Sequence, residues 1–219
     1  MSTQIMEEID SLVVWASNNN LNLNPSKCKE MIIRRPKLSA NDLIIPPPLS
    51  GIPRVNMLKV LGVSFTDKLD FTPHFSGVLG HSSSNLFALR TLRAHGLEGS
   101  ELAQVTRATV ISKIMYASSS WWGFAGAEMR HRLQALIHRC KKLCFLPPDF
   151  PTLEELIIEQ DTSFFNQILS DRHHVLHHLL PPEKVTGHDL RPRCHGRELP
   201  RADQRMRKTF IYRMLYLDI

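Results

Sequence analysis

The sequence predicts an α+β fold that is mostly helical, with a small β-containing segment ahead of a series of amphipathic helices. Apolar residues recur at helical spacing in several windows beyond residue 70, whereas runs typical of β-structure are confined to the first 66 residues. The 219 residues are 42% hydrophobic and 22% charged. This composition is that of a globular protein and excludes collagen-like and wholly disordered chains.

The first segment begins with a predicted helix. Apolar residues from Ile5 to Ala16 lie at helical spacing, and the three asparagines 18–20 should end the helix because Asn tolerates left-handed geometry. The next predicted elements are two short strands and a proline-rich loop, at 21–23, 28–34 and 46–53. A β-rich run then covers 58–65, and Gly62 interrupts it at a point where another group could approach the backbone closely.

The rest of the chain reads as helices. Thr72 is a predicted N-cap with Pro73 in the first turn, and Gly96 is the predicted end of that helix. Ser100 should cap a second helix, with Leu102, Val105, Ile114 and Met115 facing inward. The third helix, 128–144, has one continuous apolar stripe. Further helical sequence follows the prolines at 147–151 and continues to residue 180, before an Arg-rich tail.

Basic residues are concentrated in two places. Residues 184–213 hold nine Lys or Arg and three acids, which equals the whole net charge of +6. The polar side of helix 128–144 has Glu128 as its one acid and five cations, Arg130, Arg132, Arg139, Lys141 and Lys142. Trp121, Trp122 and Phe124 lie just upstream as a possible stacking surface, although tryptophans more often belong to the core. The pattern favours contact with nucleic acid.

Metal and nucleophile chemistry find little support in the sequence. Asp67 and Asp70 are the closest approach to a carboxylate pair, and their position before a helix is typical of turn and capping residues. Four histidines could form two i, i+4 pairs on one helix, a spacing that can bind zinc, but solvated histidines near a helix end are the more common case: His173, His174, His177 and His178. No phosphate-binding glycine loop and no nucleophile motif occurs.

The expected location is intracellular, in the nucleus or the cytoplasm. The four cysteines form no regular framework, no apolar run is as long as a membrane span, and residues 1–10 do not read as a signal peptide. We therefore expect neither secretion nor a membrane partner.

Four segments resemble the C-terminal part of LINE-type, non-LTR retrotransposon reverse transcriptases of the jockey-like group. They are WASNNNLNLNPSKCKEM at 15–31, LKVLGV at 58–63, SKIMYASSSWWGF at 112–124, and the pair HHVLHHLLPP and DLRPRCHGRELP at 173–182 and 189–200. The first is similar to the segment just after the polymerase active site, the second to the primer-grip strand, the third to a thumb signature and the last to the family's C-terminal end.

The resemblance implies a fragment of an RNA-directed DNA polymerase. It would contain the end of the palm at 1–66, a helical thumb at 70–146 and a C-terminal region at 150–219. In the family the catalytic aspartates lie upstream of the first matching segment. We therefore expect Mg²⁺ only in a full-length polymerase, no cofactor in this chain, and no polymerase activity from it alone. The missing upstream segment would pack on residues 1–66.

The resemblance also assigns roles to residues. Lys27 matches a lysine in a strand near the incoming triphosphate, where it would stabilise the departing pyrophosphate; the plainer alternative is a surface lysine after a turn. Cys28 stands where the family usually has Thr or Ser. Leu61, Gly62 and Val63 match the primer grip. The implied partner is an RNA/DNA primer–template duplex, held through its backbone with slight sequence preference.

Two other functions stay open at this point. One is a stand-alone nucleic-acid-binding or interaction module that uses the same basic helix. The other is a transposon remnant with no function, for which we expect exposed apolar surface on residues 1–66.

Overall fold

The structure is a computed structural model that describes residues 2–33, 45–49, 51–184 and 195–217. It is mostly helical with one two-stranded antiparallel sheet, as the α+β prediction requires. The chain divides into two compact units, residues 1–74 and residues 75–219. No helix in the described ranges is long and apolar enough to cross a membrane.

The first unit opens with helix α1, Ser2–Asn18, and the asparagines end it as predicted. Asn20 adopts a left-handed conformation with φ 55°. This geometry lets the amide of Leu21 bond to the carbonyl of Ala16 at 2.8 Å, and that of Asn20 to Ser17 at 3.1 Å. The pair of bonds is a Schellman motif, which satisfies carbonyls that the end of a helix leaves open.

The two strands predicted after α1 are wrong. Leu21–Leu23 is not paired, and Pro25–Lys27 forms a 3₁₀ turn whose first amides are drawn to the Asn24 side chain, with Ser26 donating at 3.1 Å. Among the described residues of the second stretch only Glu30 makes a bridge, parallel to Arg54; Arg34 lies outside the described residues. Local side-chain bonding to Asn24 replaces a ladder here.

The β-rich run is a hairpin rather than one strand. Strands β1, Met57–Val60, and β2, Val63–Thr66, pair antiparallel with Val60 opposite Val63. Leu61 and Gly62 form the two-residue turn, with φ 46° and 88°. A type I′ turn needs positive φ at both central positions, so Gly62 serves the turn and does not interrupt a strand.

Helix α2, Thr72–Ala94, has a start and an end that the sequence largely predicts. At its start the carboxylate of Asp70 accepts the amide of Thr72 at 2.9 Å, so Asp70 supplies the cap assigned to Thr72. At its end Gly96, φ 92°, forms a second Schellman motif, with the amide of Leu97 bonded to Leu92 at 3.1 Å. Phe87, although apolar, is 74% exposed on this helix.

The middle of the second unit is a series of short helical pieces. They are α3, Gly99–Thr106, a π-turn, Arg107–Ile111, α4, Ser112–Met115, α5, Ser118–Trp121, and a 3₁₀ turn, Trp122–Phe124. Trp121 is fully buried and meets Phe75 edge to face at 5.2 Å. A side chain at Gly123 would lie 1.9 Å from the carbonyl oxygen of Lys208, so the backbones touch at this glycine.

Three helices complete the second unit. Helix α6, Ala127–Lys142, buries the predicted stripe through Leu133, Leu136, Ile137 and Cys140. Helix α7, Leu153–Ser170, starts with a capping box of Thr152 and Glu155. Helix α8, Phe210–Leu215, packs on α7 in an apolar cluster that contains Phe165, Ile168, Ile211, Met214 and Leu215.

The prediction of helix up to residue 180 is wrong beyond Ser170. Asp171 accepts the amide of His173 on its side chain at 2.9 Å, and its carbonyl accepts the amide of His174 at 3.1 Å. These bonds form an Asx turn that ends the helix. Between Ser170 and residue 180 the chain forms only a short 3₁₀ turn, His177–Leu179.

Candidate nucleic-acid interface

The exposed side of helix α6 carries three cations on one face. Arg132, Arg139 and Lys142 are all exposed. At 100° per residue their positions fall within about 80° around the helix axis. His131 and His138 are also exposed, and both lie beside Lys142 at one edge of this group. We call Arg132, Arg139 and Lys142 the basic face of α6.

Arg130 does not belong to this face, contrary to the prediction. Its guanidinium lies over the ring of Trp122 at 4.6 Å, and its Nε donates to the carbonyl of Ala125 at 3.1 Å. Helical spacing explains the error, since Arg130 is about 160° from Arg132 around the axis. Arg130 therefore holds the turn before α6 against the helix, because cation–π contacts of this kind are favourable.

Lys141 lies on another flank of α6, half-buried, where it lines a cleft. The cleft has a volume of about 480 Å³. Its lining comes from α3, from the end of α6 and from the loop that follows: Gly99, Ser100, Ala103, Gln104, Arg107, Lys141, Cys144, Leu146, Pro147 and Pro148. Sequence reasoning missed Arg107, which no helical pattern connects with Lys141.

The tryptophans do not form a stacking platform. Trp121 is 0% and Trp122 4% exposed, and the two rings meet edge to face at 6.0 Å. Phe124 is half-buried. The two tryptophans thus belong to the core, and bases could not stack on the indoles without unpacking them.

The hairpin presents its turn to solvent. Leu61 is 86% exposed, and Val60 beside it is 48% exposed. Gly62 is exposed as well, whereas Val63 is buried with 8% exposure. Of the three residues matched to the primer grip, Leu61 and Gly62 are therefore accessible and Val63 holds the hairpin to its unit.

Lys27 is exposed at the end of a 3₁₀ turn and not in a strand, so the predicted setting of this lysine is wrong. Lys27 and the hairpin belong to the first unit, and α6 belongs to the second. Nearby, Arg54 binds Glu30 at 2.9 Å, and this hydrogen-bonded arginine lowers the pKa of the Glu30 carboxyl.

Three arginines of the Arg-rich tail make contacts within the chain. Arg197 pairs with Glu183 at 3.5 Å, and Arg207 lies over the Tyr216 ring at 4.6 Å. Arg213 pairs with the buried Asp161. Arg191 and Arg193 lie outside the described residues. The two ion pairs remove Arg197 and Arg213 from the cations free to neutralise phosphates, whereas Arg207 stays exposed.

The groups considered for metal binding have other settings. Asp67 is buried, and Asp70 caps α2. His173 and His178 lie in the turns after α7, so the i, i+4 pairs do not share a helix. In the described part of the chain no three His, Cys, Asp or Glu residues come together as a metal site; Cys194 lies outside it.

A buried polar cluster joins α5, α7 and α8, and no local sequence pattern predicts it. Asp161 is 0% exposed and accepts the hydroxyl of Ser119 and the guanidinium of Arg213, both at 2.5 Å. Arg213 is 52 residues away from Asp161 in sequence. The sequence signal near this cluster is the capping box that starts α7, in which Glu155 follows Thr152 by three residues, and it indicates the helix but not the cluster.

The first unit leaves much apolar surface uncovered. Of the twenty large apolar residues exposed in the described ranges, twelve lie within residues 1–66. Four of them are consecutive on α1, where they are about half exposed: Leu12, Val13, Val14 and Trp15. Patches of this kind mark contact surfaces or aggregation-prone surfaces.

No protein-family model, no curated protein and no solved structure matches this chain. The function is therefore argued from the resemblance of its segments and from the geometry described above.

Proposed function

We propose that this chain is the end of the palm, the thumb and the C-terminal region of a LINE-type non-LTR reverse transcriptase, and that it grips a primer–template duplex. The basic face of α6 is the observation that carries the proposal. The helical second unit and the hairpin at the position of the primer grip also support it. Phosphoryl transfer would rest with the family's catalytic aspartates and their Mg²⁺.

The dimensions of the basic face suit a nucleic-acid backbone. From Arg132 to Lys142 the helix rises about 15 Å, at 1.5 Å per residue. Measured along the axis of a B-form duplex, that length corresponds to about four base-pair steps, at 3.4 Å per step. Contacts of this kind go to phosphates and sugars, so they position a duplex without reading its sequence.

The turn of the hairpin supports a second contact. A leucine with positive φ is unfavourable by about 1–2 kcal/mol, and Asn is the residue that type I′ turns prefer before Gly. Leu61 nonetheless occupies this position and exposes its side chain. Backbone strain together with an exposed apolar group is typical of contact sites, and the proposal assigns Leu61 and Gly62 to the primer side of the duplex. Lys27 would lie near the departing pyrophosphate.

The uncovered apolar surface of residues 1–66 fits the same proposal, because the upstream polymerase segment would pack there. The surface equally favours a second candidate, a transposon remnant whose first unit lacks its packing partner. The two candidates differ in nucleic-acid binding, which the remnant does not need to retain.

The test is the salt dependence of binding to an RNA/DNA hybrid duplex. Replacement of Arg132, Arg139 and Lys142 by Ala should reduce the slope of log Kobs against log salt by about 2–3, since each phosphate contact contributes about 0.9. Fluorescence anisotropy of a labelled hybrid at several KCl concentrations measures the slope.

A matched triple variant provides the control. Arg90, Lys113 and Arg172 are exposed cations on α2, on α4 and in the turn after α7, and replacing them by Ala removes the same net charge. We expect this variant to keep most of the slope. Equal loss of slope in the two triple variants would show that only net charge matters, and an unchanged slope in the α6 variant would refute the grip.

A further inference from the structure

The cleft beside α6 is separate from the basic face and has its own charge. Arg107 opens the π-turn, and Lys141 lies in the last turn of α6. Both line the cleft, and no acid is among its lining residues. In the described ranges neither cation makes an ion pair within 4.0 Å. The pKa of the Glu155 carboxyl is lowered mainly by hydrogen bonds from Thr152, and the charge of Lys141 makes a smaller contribution in the same direction.

The setting of Arg107 leaves it able to bind an anion. Its guanidinium lies over the ring of Phe150 at 5.3 Å. Stacking of this kind holds the plane of the guanidinium and leaves its N–H groups, which point along that plane, for a ligand. Arg107 is thus preorganised, which reduces the entropy lost when an anion binds.

The rest of the lining is mostly apolar. Leu146, Pro147 and Pro148 come from the loop after α6 and Ala103 comes from α3. A volume of about 480 Å³ is within the usual range of small-molecule sites. Such a cleft suits a ligand with a flat apolar part and a negative charge at one end.

Among the lining residues only Arg107 and Lys141 are charged, so the cleft favours an anionic ligand. A phosphodiester carries one negative charge next to an apolar sugar and a flat base. Its two parts therefore match the two cations and the apolar part of the lining.

We propose that this cleft binds one nucleotide of a single strand, with its phosphodiester at Arg107 and Lys141 and its base or sugar against Leu146, Pro147 and Pro148. The inference rests on the proposed function and deepens it, since an unpaired nucleotide beside the gripped duplex would occupy the cleft.

Cys144 gives a direct readout of occupancy, since it is exposed on the wall of the cleft. In a Cys28→Ser, Cys194→Ser background the only thiol besides Cys144 is that of Cys140. Cys140 is buried, and burial raises its pKa to about 11, so it should react slowly. The rate at which N-ethylmaleimide modifies Cys144 is measured against the dinucleoside monophosphate TpT. We expect TpT to slow the reaction, and thymidine or inorganic phosphate alone to slow it much less.

Arg107→Gln and Lys141→Gln should each raise the TpT concentration for half protection by about tenfold, the loss of one charge-assisted hydrogen bond. Arg90→Gln, on α2 and outside both the basic face and the cleft, should leave it unchanged, and thermal unfolding checks that all three variants fold. Three results would each overturn the proposal: a rate indifferent to TpT, equal loss in Arg90→Gln, or equal protection by N-acetyl-aspartate.

The outcome is independent of the duplex experiment. A preserved salt slope with no TpT protection would remove the cleft and keep the grip. TpT protection without any effect of the α6 triple variant would do the reverse.

Discussion

Arg213→Met is expected to destabilise the second unit strongly. The carboxylate of Asp161 is fully buried, and its two oxygens are held by Ser119 and Arg213 at 2.5 Å each. Arg213 is itself mostly buried, with 16% of its side chain exposed. Methionine keeps most of the side-chain volume and removes the charge, so the carboxylate stays buried without its cation.

The magnitude follows from these contacts. Loss of one partner of a buried ion pair costs about 3–5 kcal/mol, because the other charge is left uncompensated. Ser119→Ala removes one neutral donor and should cost about 1 kcal/mol. At about 2–4 °C per kcal/mol for a domain of this size, Arg213→Met should lower Tm by about 6–20 °C.

The assay is urea unfolding followed by far-ultraviolet circular dichroism, with the double variant Asp161→Leu, Arg213→Met as the decisive comparison. An apolar pair of similar volume should recover most of the loss, because neither partner is then a buried unpaired charge. The reasoning is refuted if Arg213→Met alone costs less than about 1 kcal/mol, or if the double variant is as unstable as the sum of the two single variants.

Two further changes test local geometry. Cys144→Gly should raise the free energy of unfolding by about 1 kcal/mol, because Cys144 has φ 56°, a conformation that glycine adopts without strain. The position ends α6, where the amides of Cys144 and Phe145 donate to the carbonyls of Lys141 and Cys140, both at 2.9 Å. Cys144→Ala keeps the Cβ and should not raise the stability. Glu30→Gln should flatten the acid side of the stability profile of the first unit. The folded pKa of Glu30 lies below its ordinary value of 4.5, so its stabilisation is complete above that pH and is lost as the pH falls through the folded value. Unfolding measured from neutral to acid pH should show wild type and variant converging, and a constant gap would contradict this account.

Local signals predicted the apolar stripe of α6 and the ends of α1 and α2. The stripe of α6 appears as one face at period 3.6, and Asn20 and Gly96 take the left-handed positions that their residue types favour. The hairpin could also have been predicted, since Leu61 and Gly62 form a two-residue connection between two β-rich stretches. The sequence lacks the usual Asn-Gly pair of such turns, because Leu occupies the first turn position.

Exposure and distant partners could not be read from the chain. The five cations of α6 look alike in sequence, yet Arg130 stacks on a tryptophan, Lys141 lines a cleft and the other three face solvent. Which of these occurs depends on what packs around the helix. The Asx turn at Asp171 ended a helix whose sequence would have allowed it to continue, because the side-chain bond competed successfully with the helical one.

Three helices end in the same hydrogen-bonded pattern, with Asn20, Gly96 and Cys144 at the left-handed position. The piece made by residues 206–215 is instead joined to the rest by the Arg213–Asp161 ion pair and by the close backbone approach of Lys208 to Gly123. On the ribosome that piece emerges about fifty residues after Asp161. Until it arrives, the carboxylate has no cation and Gly123 has no neighbouring backbone. The second unit should therefore close late in translation, through an event that depends on the tail and not on the helices made first.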